Sequence, residues 1–468
     1  MSGGIRWHLS KLMTDNAVKP GSRLPLSMRL GYGVGDFGFN LFFTTASLYL
    51  LFYYTDVLGL SPATAGWVFA VALIWDALFD PAMGYAANRT RTRWGSYRPY
   101  LLFGGIPLAL SWALMFLPVS LEGTALVVFA AATHMLFRTL YAVVSMPFLA
   151  LSAVMTNDSV ERGVLASYRM IAAATCGLLV AVFTLKLVGW LGGGREGFFW
   201  VALIYGAVAA VIFVITFLSV REAERPAGEV LPTLPDMTRM LRSNTAFWIV
   251  CAAMLLGGVG GTIVNKVIPY YFKYTLGRED LIGPALGASA LAIMLSMPLW
   301  TLVMKRTSKR VMWMSGTVIG VLAYGAFWFA PADPKFVIPI MMLLGLGGGA
   351  GYLGFWSMMP DTVEYGQWRS GVRSEGAIFG IVSLIQKAAL GLAAAGLGEM
   401  LELIGYTANI AQTPQTLASL KIIMILVPAG FAAAAATAIS FYPITPQLHQ
   451  RLVRGLGRRQ AQAKTATL

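Results

Sequence analysis

Along this chain the hydrophobic positions gather into long blocks, and the polar positions are confined to the stretches between them. Twelve blocks are of spanning length, at about 29–54, 62–87, 98–118, 123–147, 163–190, 198–220, 245–273, 281–304, 311–330, 335–359, 375–403 and 418–442. A helix of about 20 apolar residues crosses the hydrocarbon layer of a bilayer. The pattern therefore predicts an all-α membrane protein with twelve transmembrane helices. Gly and Pro inside the blocks are compatible with this, because neighbouring helices satisfy the backbone groups they free. The longest polar interruption, REAERPAGEVLPTLPDMTRMLRSN at 221–244, mixes charge signs and holds three prolines. It reads as a linker between two six-helix bundles. The predicted organisation is a tail at 1–28, a bundle at 29–220, the linker at 221–244, a bundle at 245–442 and a tail at 443–468.

Composition narrows the class. Of the 468 residues 57% are hydrophobic and only 12% charged, more apolar surface than a soluble fold of this size can bury. The net charge of +14 would suggest nucleic acid in a soluble domain. Here the bases fall in alternate loops: Arg89, Arg91, Arg93 and Arg98 after the second block, Arg221, Arg225, Arg239 and Arg242 after the sixth. Lys305, Arg306, Lys309 and Arg310 follow the eighth, and Arg369 and Arg373 the tenth. By the positive-inside rule both termini face the cytoplasm, and the basic excess reflects topology and contact with anionic lipid. The first 23 residues lack the apolar core of a signal peptide. Cys176 and Cys251 lie singly within blocks and read as small packing residues.

The two halves echo each other. NRTRTRWGSYRP follows the second block and KRTSKRVMW the eighth; MPFLALSAVMTNDSVERGVLASYR follows the fourth and MMPDTVEYGQWRSGVRSEG the tenth. Parallel repeats of six helices are the build of the major facilitator fold, in which substrate sites lie at mid-membrane between the halves.

Few charges interrupt the blocks. Asp76 and Asp80 sit in the middle of the second, one turn apart on one face. Each costs about 2.5–3.5 kcal/mol on insertion scales unless compensated. A bound Na⁺ or H⁺ would compensate them, as would bases on neighbouring helices. Asp36 and Asn40 are one turn apart in a glycine-rich stretch; Asp36 either caps a helix break there or faces the ligand, and Asn40 offers a polyol both donors and acceptors. Arg138, Tyr141, Ser145 and His134 share a face of the fourth block. Arg138 either neutralises an acid or grips an anionic substrate, and His134 reads as a packed, hydrogen-bonded residue. Arg169 in the fifth block and Lys387 in the eleventh are further bases; Lys387 beside Asp76 and Asp80 would both stabilise them and compete with a cation. Tyr32, Trp75, Tyr352 and Trp356 offer flat faces on which a sugar ring packs. Lys266, beside Asn265, is expected to snorkel to the surface, with a gating or substrate role as the alternative.

At WDALFDP and NRTRTRWGSYRP the chain resembles the glycoside–pentoside–hexuronide:cation symporters, the melibiose-permease-like branch of the major facilitators. YYTDVLGLS at 53–61, PDTVEYGQWRSGVRSEG at 360–376 and IGYTANIAQTPQTL at 404–417 extend the resemblance over most of the chain. It implies a secondary active transporter of a bacterial inner membrane that takes up glycosides coupled to sodium, protons or lithium. It assigns Asp76 and Asp80 to the cation site and Tyr141, Arg169 and Lys387 to positions of known importance in the family. Two sugar-binding positions that are aspartates in melibiose permease align with Asn40 and Ser145. Together with Arg138, these departures move the pocket toward neutral or anionic sugars, a hexuronide among them.

The expectation is cation-coupled symport of a glycoside or sugar, with Na⁺ or H⁺ as coupling ion and no cofactor. Asp76 and Asp80 would bind the cation, sodium being the metal if sodium is the ion. Asp36, Asn40, Arg138, Tyr141, Ser145, Arg169, Trp356 and Lys387 would line the substrate site. The partners are a small-molecule sugar, the cation and the lipid bilayer, with no nucleic acid, and a monomer suffices. A lysolipid carrier of the same fold is the alternative. A membrane enzyme or sensor finds no support in metal-spaced His/Cys clusters, a nucleophile elbow or a phosphate loop.

Overall fold

The computed structural model describes residues 24–156, 159–222, 234–372, 374–452 and 454–456. Most of the predicted N-terminal tail, the middle of the linker and the end of the C-terminal tail lie outside them. Ten helices are long and apolar enough to cross a membrane. With two more long helices, Leu26–Phe52 and Arg98–Met115, they make twelve among the described residues. In chain order these are α1 (Leu26–Phe52), α2 (Pro62–Arg89), α3 (Arg98–Met115), α4 (Gly123–Met155), α5 (Ser159–Trp190) and α6 (Gly194–Ser219). The second set is α7 (Thr245–Tyr270), α8 (Ile282–Arg306), α9 (Lys309–Phe329), α10 (Pro334–Ser370), α11 (Glu375–Leu403) and α12 (Pro414–Ser440). A short helix, Leu234–Ser243, precedes α7.

Local sequence explains where the helices start. Ser61, Asn244, Ser308 and Thr413 cap α2, α7, α9 and α12, each side chain accepting from a backbone N–H of the first turn. Pro at the first position follows the cap in α2 and α12. Two helices outrun their apolar blocks. α4 continues to Met155 and α10 to Ser370, through Pro147 and Pro360 at corresponding places. The polar segments read as exits from the fourth and tenth blocks are thus helical at their starts, because proline removes one hydrogen bond without ending a helix that neighbours support.

Packing repeats with a period of six helices. Within the first half α1 packs on α5 and α6, α2 on α4, and α3 on α4 and α6. Within the second α7 packs on α11 and α12, α8 on α10, and α9 on α10 and α12. The halves meet through α2 with α11, α5 with α8, and α1 with α7. α1 is unbroken at Asp36, so that residue caps no helix break. Its glycines instead admit neighbours: a Cβ on Gly33 would lie 3.1 Å from the Tyr168 carbonyl oxygen.

The halves touch at one end of the molecule. At that end, away from the chain termini, α2 and α11 form a seam of small residues. A Cβ on Gly66 would stand 2.6 Å from the Ala394 carbonyl oxygen, and one on Gly398 would stand 2.3 Å from that of Pro62. Trp67 Nε1 donates to Glu399 across the seam at 2.7 Å, and the Ala63 N–H to Glu402 at 3.1 Å. At the termini end the same two helices diverge: Gly84 and Gly380 face open space, and Tyr85 and Phe379 are exposed. Residues 446–452 form a helix folded back on the second half, with Leu452 buried. His449 lies 2.9 Å from Glu364 and 3.4 Å from Asp361, and Asp361 also pairs with Lys309 at 2.7 Å.

Candidate functional site

The small-residue seam sets the position of Lys387. α11 lies so close to α2 that the ammonium reaches both acids of α2 at the middle of the bundle. Its Nζ is 2.9 Å from Asp76 Oδ2 and in contact with Asp80 Oδ2. Arg138 of α4 adds a looser pairing, 3.7 Å from Asp76 Oδ2, while its Nε donates to His134 Nε2 at 3.3 Å. Two carboxylates and two bases thus form one formally neutral cluster from three helices. Asp76 is fully buried. The ammonium is near Asp76 without hydrogen-bond direction, so neither Asp76 oxygen, nor Asp80 Oδ1, accepts a hydrogen bond. Those three buried oxygens are of the hard, anionic type that suits Na⁺ or a proton. Among the described residues no group of three or more His, Cys, Asp or Glu converges as a transition-metal site would require.

A second neutral pair lies nearer the termini end. Arg169 donates from Nε and Nη2 to Asp36 Oδ1 at 3.1 and 2.9 Å, and its guanidinium lies over Tyr32 and Phe148. Asn40 donates to the Asp36 carbonyl at 2.8 Å and more weakly to its carboxylate at 3.4 Å. Tyr141 stands between the two clusters, edge-on to Phe39, where the charges of Asp36, Arg138, Asp76 and Asp80 all reach its hydroxyl. Ser145 is buried with its hydroxyl unpartnered. Across the gap, Tyr352 and Trp356 of α10 are partly exposed, and Tyr352 is close enough to Asp36 to feel its charge.

The predicted residues therefore fall into two clusters bridged by Tyr141, with Trp356 on the opposite wall. Trp75 is elsewhere engaged, donating to Thr139 at 2.8 Å. Lys266 departs from expectation. It is 1% exposed and donates from Nζ to the Ser47 carbonyl at 2.9 Å, over the Phe69 ring. It cannot snorkel because this part of α7 packs against α1. Asn265, on the other face, is exposed and bonds to its own helix.

A third cluster escaped sequence reasoning. At the far end α1 passes into a π-helical turn, Tyr53–Val57, and α7 into another, Tyr271–Thr275. Each is followed by a left-handed glycine, Gly59 and Gly277. The first turn carries Asp56, whose side chain is buried. It accepts from Thr55 at 2.8 Å, from Lys273 at 2.8 Å and from Tyr406 at 2.7 Å, and Tyr274 makes a further short bond to it. Burial and the Asp56 charge hold the Tyr406 phenol protonated, well above its ordinary range. Asn409, at a left-handed φ of 62°, closes the ring by donating to the Asp56 carbonyl and accepting from Lys273, both at 2.8 Å. This lock joins the halves. Its signal was the repeat YYTDVLG against YFKYTLG, with an acid in one copy and a base in the other.

Comparison with known proteins fits this architecture. The profile of the MFS/sugar transport protein family matches residues 31–446. The uncharacterized symporter YnaJ of Bacillus subtilis is 30% identical, over 96% of this chain and 97% of its own. The isoprimeverose transporter of Lactiplantibacillus pentosus is also 30% identical, over 99% and 98%. Among solved structures, an inward-facing, unoccupied bacterial homolog of the human lysosomal transporter Spinster superposes with a TM-score of 0.65. It is 14% identical and covers 91% of this chain and 96% of its own, a likeness of fold alone.

Proposed function

The chain belongs to the MFS/sugar transport protein family, and we propose on that footing that it is a cation-coupled symporter of a glycoside or sugar working by alternating access. It is a multi-pass protein of a bacterial inner membrane, a transporter and not an enzyme. In this reading all twelve long helices cross the membrane, both termini lie in the cytoplasm, and the separated ends of α2 and α11 face inward. The coupling ion is Na⁺ or H⁺ and enters at Asp76 and Asp80. The substrate site is lined by Asn40, Tyr141, Ser145, Arg169 and Trp356, and a hexuronide is among the substrates that this lining admits.

The observation that carries the proposal is the Asp76–Asp80–Lys387 cluster at mid-bundle, where the two halves meet. Lys387 belongs to one half and the acids to the other, so a cation that competes for the acids acts directly on the contact between halves. An ammonium displaced by the cation has to be met by polar groups of the substrate, because a buried pair that loses one partner is destabilised by about 3–5 kcal/mol; this ties cation binding to substrate binding. A membrane potential of 100 mV contributes about 2.3 kcal/mol per charge moved. That is roughly a fiftyfold accumulation of a neutral sugar entering with one cation.

The test is uptake into proteoliposomes of a panel of radiolabelled glycosides, each with an inward sodium, lithium or proton gradient and without one. At least one glycoside should accumulate above its external concentration with one gradient only. Uptake of every substrate that ignores all three gradients would reduce the protein to a facilitator and remove the proposal.

A further inference from the structure

Four cations lie in the core between the far-end lock and the Asp36 pair, and three of them face a carboxylate. Arg169 pairs with Asp36, Lys387 with Asp76 and Asp80, and Arg138 with Asp76. Lys266 is the fourth. Its Nζ meets the Ser47 carbonyl at 2.9 Å and the Phe69 ring at 3.9 Å, and among the described residues no carboxylate is within ion-pair distance. The charge that bears on it is that of Arg138, which repels it; both bases also act on the intervening His134. The core thus carries one formal positive charge more than its acids balance. His134 Nδ1, on the helix that carries Arg138, is buried without a hydrogen-bond partner.

We infer that Lys266 and Arg138, from opposite halves, form the anion-selective element of the sugar site, and that the substrate is a sugar bearing a carboxylate or sulfonate. The inference rests on the transporter reading above. An ammonium held in a low-dielectric interior without a counter-charge costs several kcal/mol. An anionic substrate relieves that cost and a neutral sugar does not. Arg138 is poised to participate because it stands 3.7 Å from Asp76 without a hydrogen bond to it. Drawn toward the substrate anion, its guanidinium offers the bidentate geometry that a carboxylate or sulfonate accepts. The move also leaves Asp76 to the coupling cation. Substrate and cation then enter as a neutral pair and the charge of the core is unchanged. Because α7 supplies Lys266 and α4 supplies Arg138, an anion touching both is held best when the halves close around it. Opening of the far end releases Lys266 from Ser47 and presents it to the entry path.

The test uses the purified full chain and sugars matched in all but charge: glucuronate with glucose, galacturonate with galactose, methyl β-glucuronide with methyl β-glucoside, and 6-deoxy-6-sulfoglucose with glucose. Binding is read by calorimetry, and uptake by the proteoliposome assay. In one pair or more the acid should bind at least tenfold tighter than its neutral partner. Lys266→Met and Arg138→Gln should each weaken the acid at least tenfold more than its neutral partner. Should Lys266→Met not accumulate in the membrane, Lys266→Gln carries the same expectation. The inference falls if no acid binds, if neutral sugars bind as tightly as their acids, or if acid affinity survives the Lys266 variants. Gradient-driven uptake of a neutral sugar, unchanged in Lys266→Met, would overturn the inference and leave the transporter standing.

Discussion

Asp76 has no water to face, and two bases answer it from two other helices. Replacing either acid should therefore separate coupling from folding. In Asp76→Asn and Asp80→Asn the protein is expected to insert normally. Gradient-driven accumulation should fall to about equilibrium, because the amide cannot hold the coupling cation whose gradient drives uptake. Full accumulation in either variant would remove these residues from the cation site. Asp56 makes a different case, since three of its four donors, Lys273, Tyr274 and Tyr406, come from the other half and fasten the halves together at the far end. Asp56→Ala strands those donors and should weaken closure by about 1–3 kcal/mol. The expected readout is faster labelling, by an impermeant thiol reagent added at that end, of a cysteine placed at Ala65, which is buried at the far end of α2. Unchanged labelling would show that the lock does not hold that end shut. Asp76, Asp80 and Lys387 were legible in the sequence because a charge inside an apolar block is conspicuous. Asp56 and Lys273 were not, because a charge at the end of a block is ordinary and only the fold shows that it is buried. Lys266 misled for a related reason: the length of a lysine stem says that it can reach the surface, not that a neighbouring helix stands in its way.

Helices bring the two halves together where their side chains are smallest. Gly66, Ala394 and Gly398 let α2 and α11 approach to backbone contact, a packing that bilayers favour because van der Waals fit replaces the hydrophobic drive. Gly398→Val places a Cβ where the Pro62 carbonyl oxygen already sits, 2.3 Å away in the present packing. The backbone must then part, and Lys387, about three turns along the same helix, withdraws from the acids. The variant should still reach the membrane, with transport reduced at least tenfold and no gain on raising the cation concentration. Normal coupling in Gly398→Val would mean that Lys387 does not depend on this seam. The helices themselves were legible as apolar blocks. Their ends in α4 and α10 were not, since hydrophobicity stops at the membrane surface whereas helical hydrogen bonding does not.

For the molecule as a whole, one closed end and one open end describe half of a transport cycle. The period-six repeat relates the α2–α11 contact to the α5–α8 contact at the same closed end, so the other half of the cycle is reached by rocking one half on the other about the site between them. Cysteines placed at Gly84 and Gly380, which face open space at the termini end, should react readily with an impermeant reagent from the cytoplasmic side. The native thiols contribute little background, as Cys176 and Cys251 are buried. Substrate and coupling ion together should slow that reaction severalfold, and neither alone should do so. Equal rates under all conditions would argue against closure of this end. The twelve long helices were readable in advance as twelve apolar blocks. Which end is shut was not, because both conformations bury the same blocks and differ only in which polar contacts are made.

The fold-back at residues 446–452 has a practical consequence. His449, seated on Glu364 and Asp361, and the buried Leu452 clamp the helix at residues 446–452 to the second half. A fluorophore joined behind Leu456 therefore rides on that body like a pointer on a lever. Paired with a second dye fixed to Arg93, it would convert the tilting of one bundle against the other into a change of light intensity.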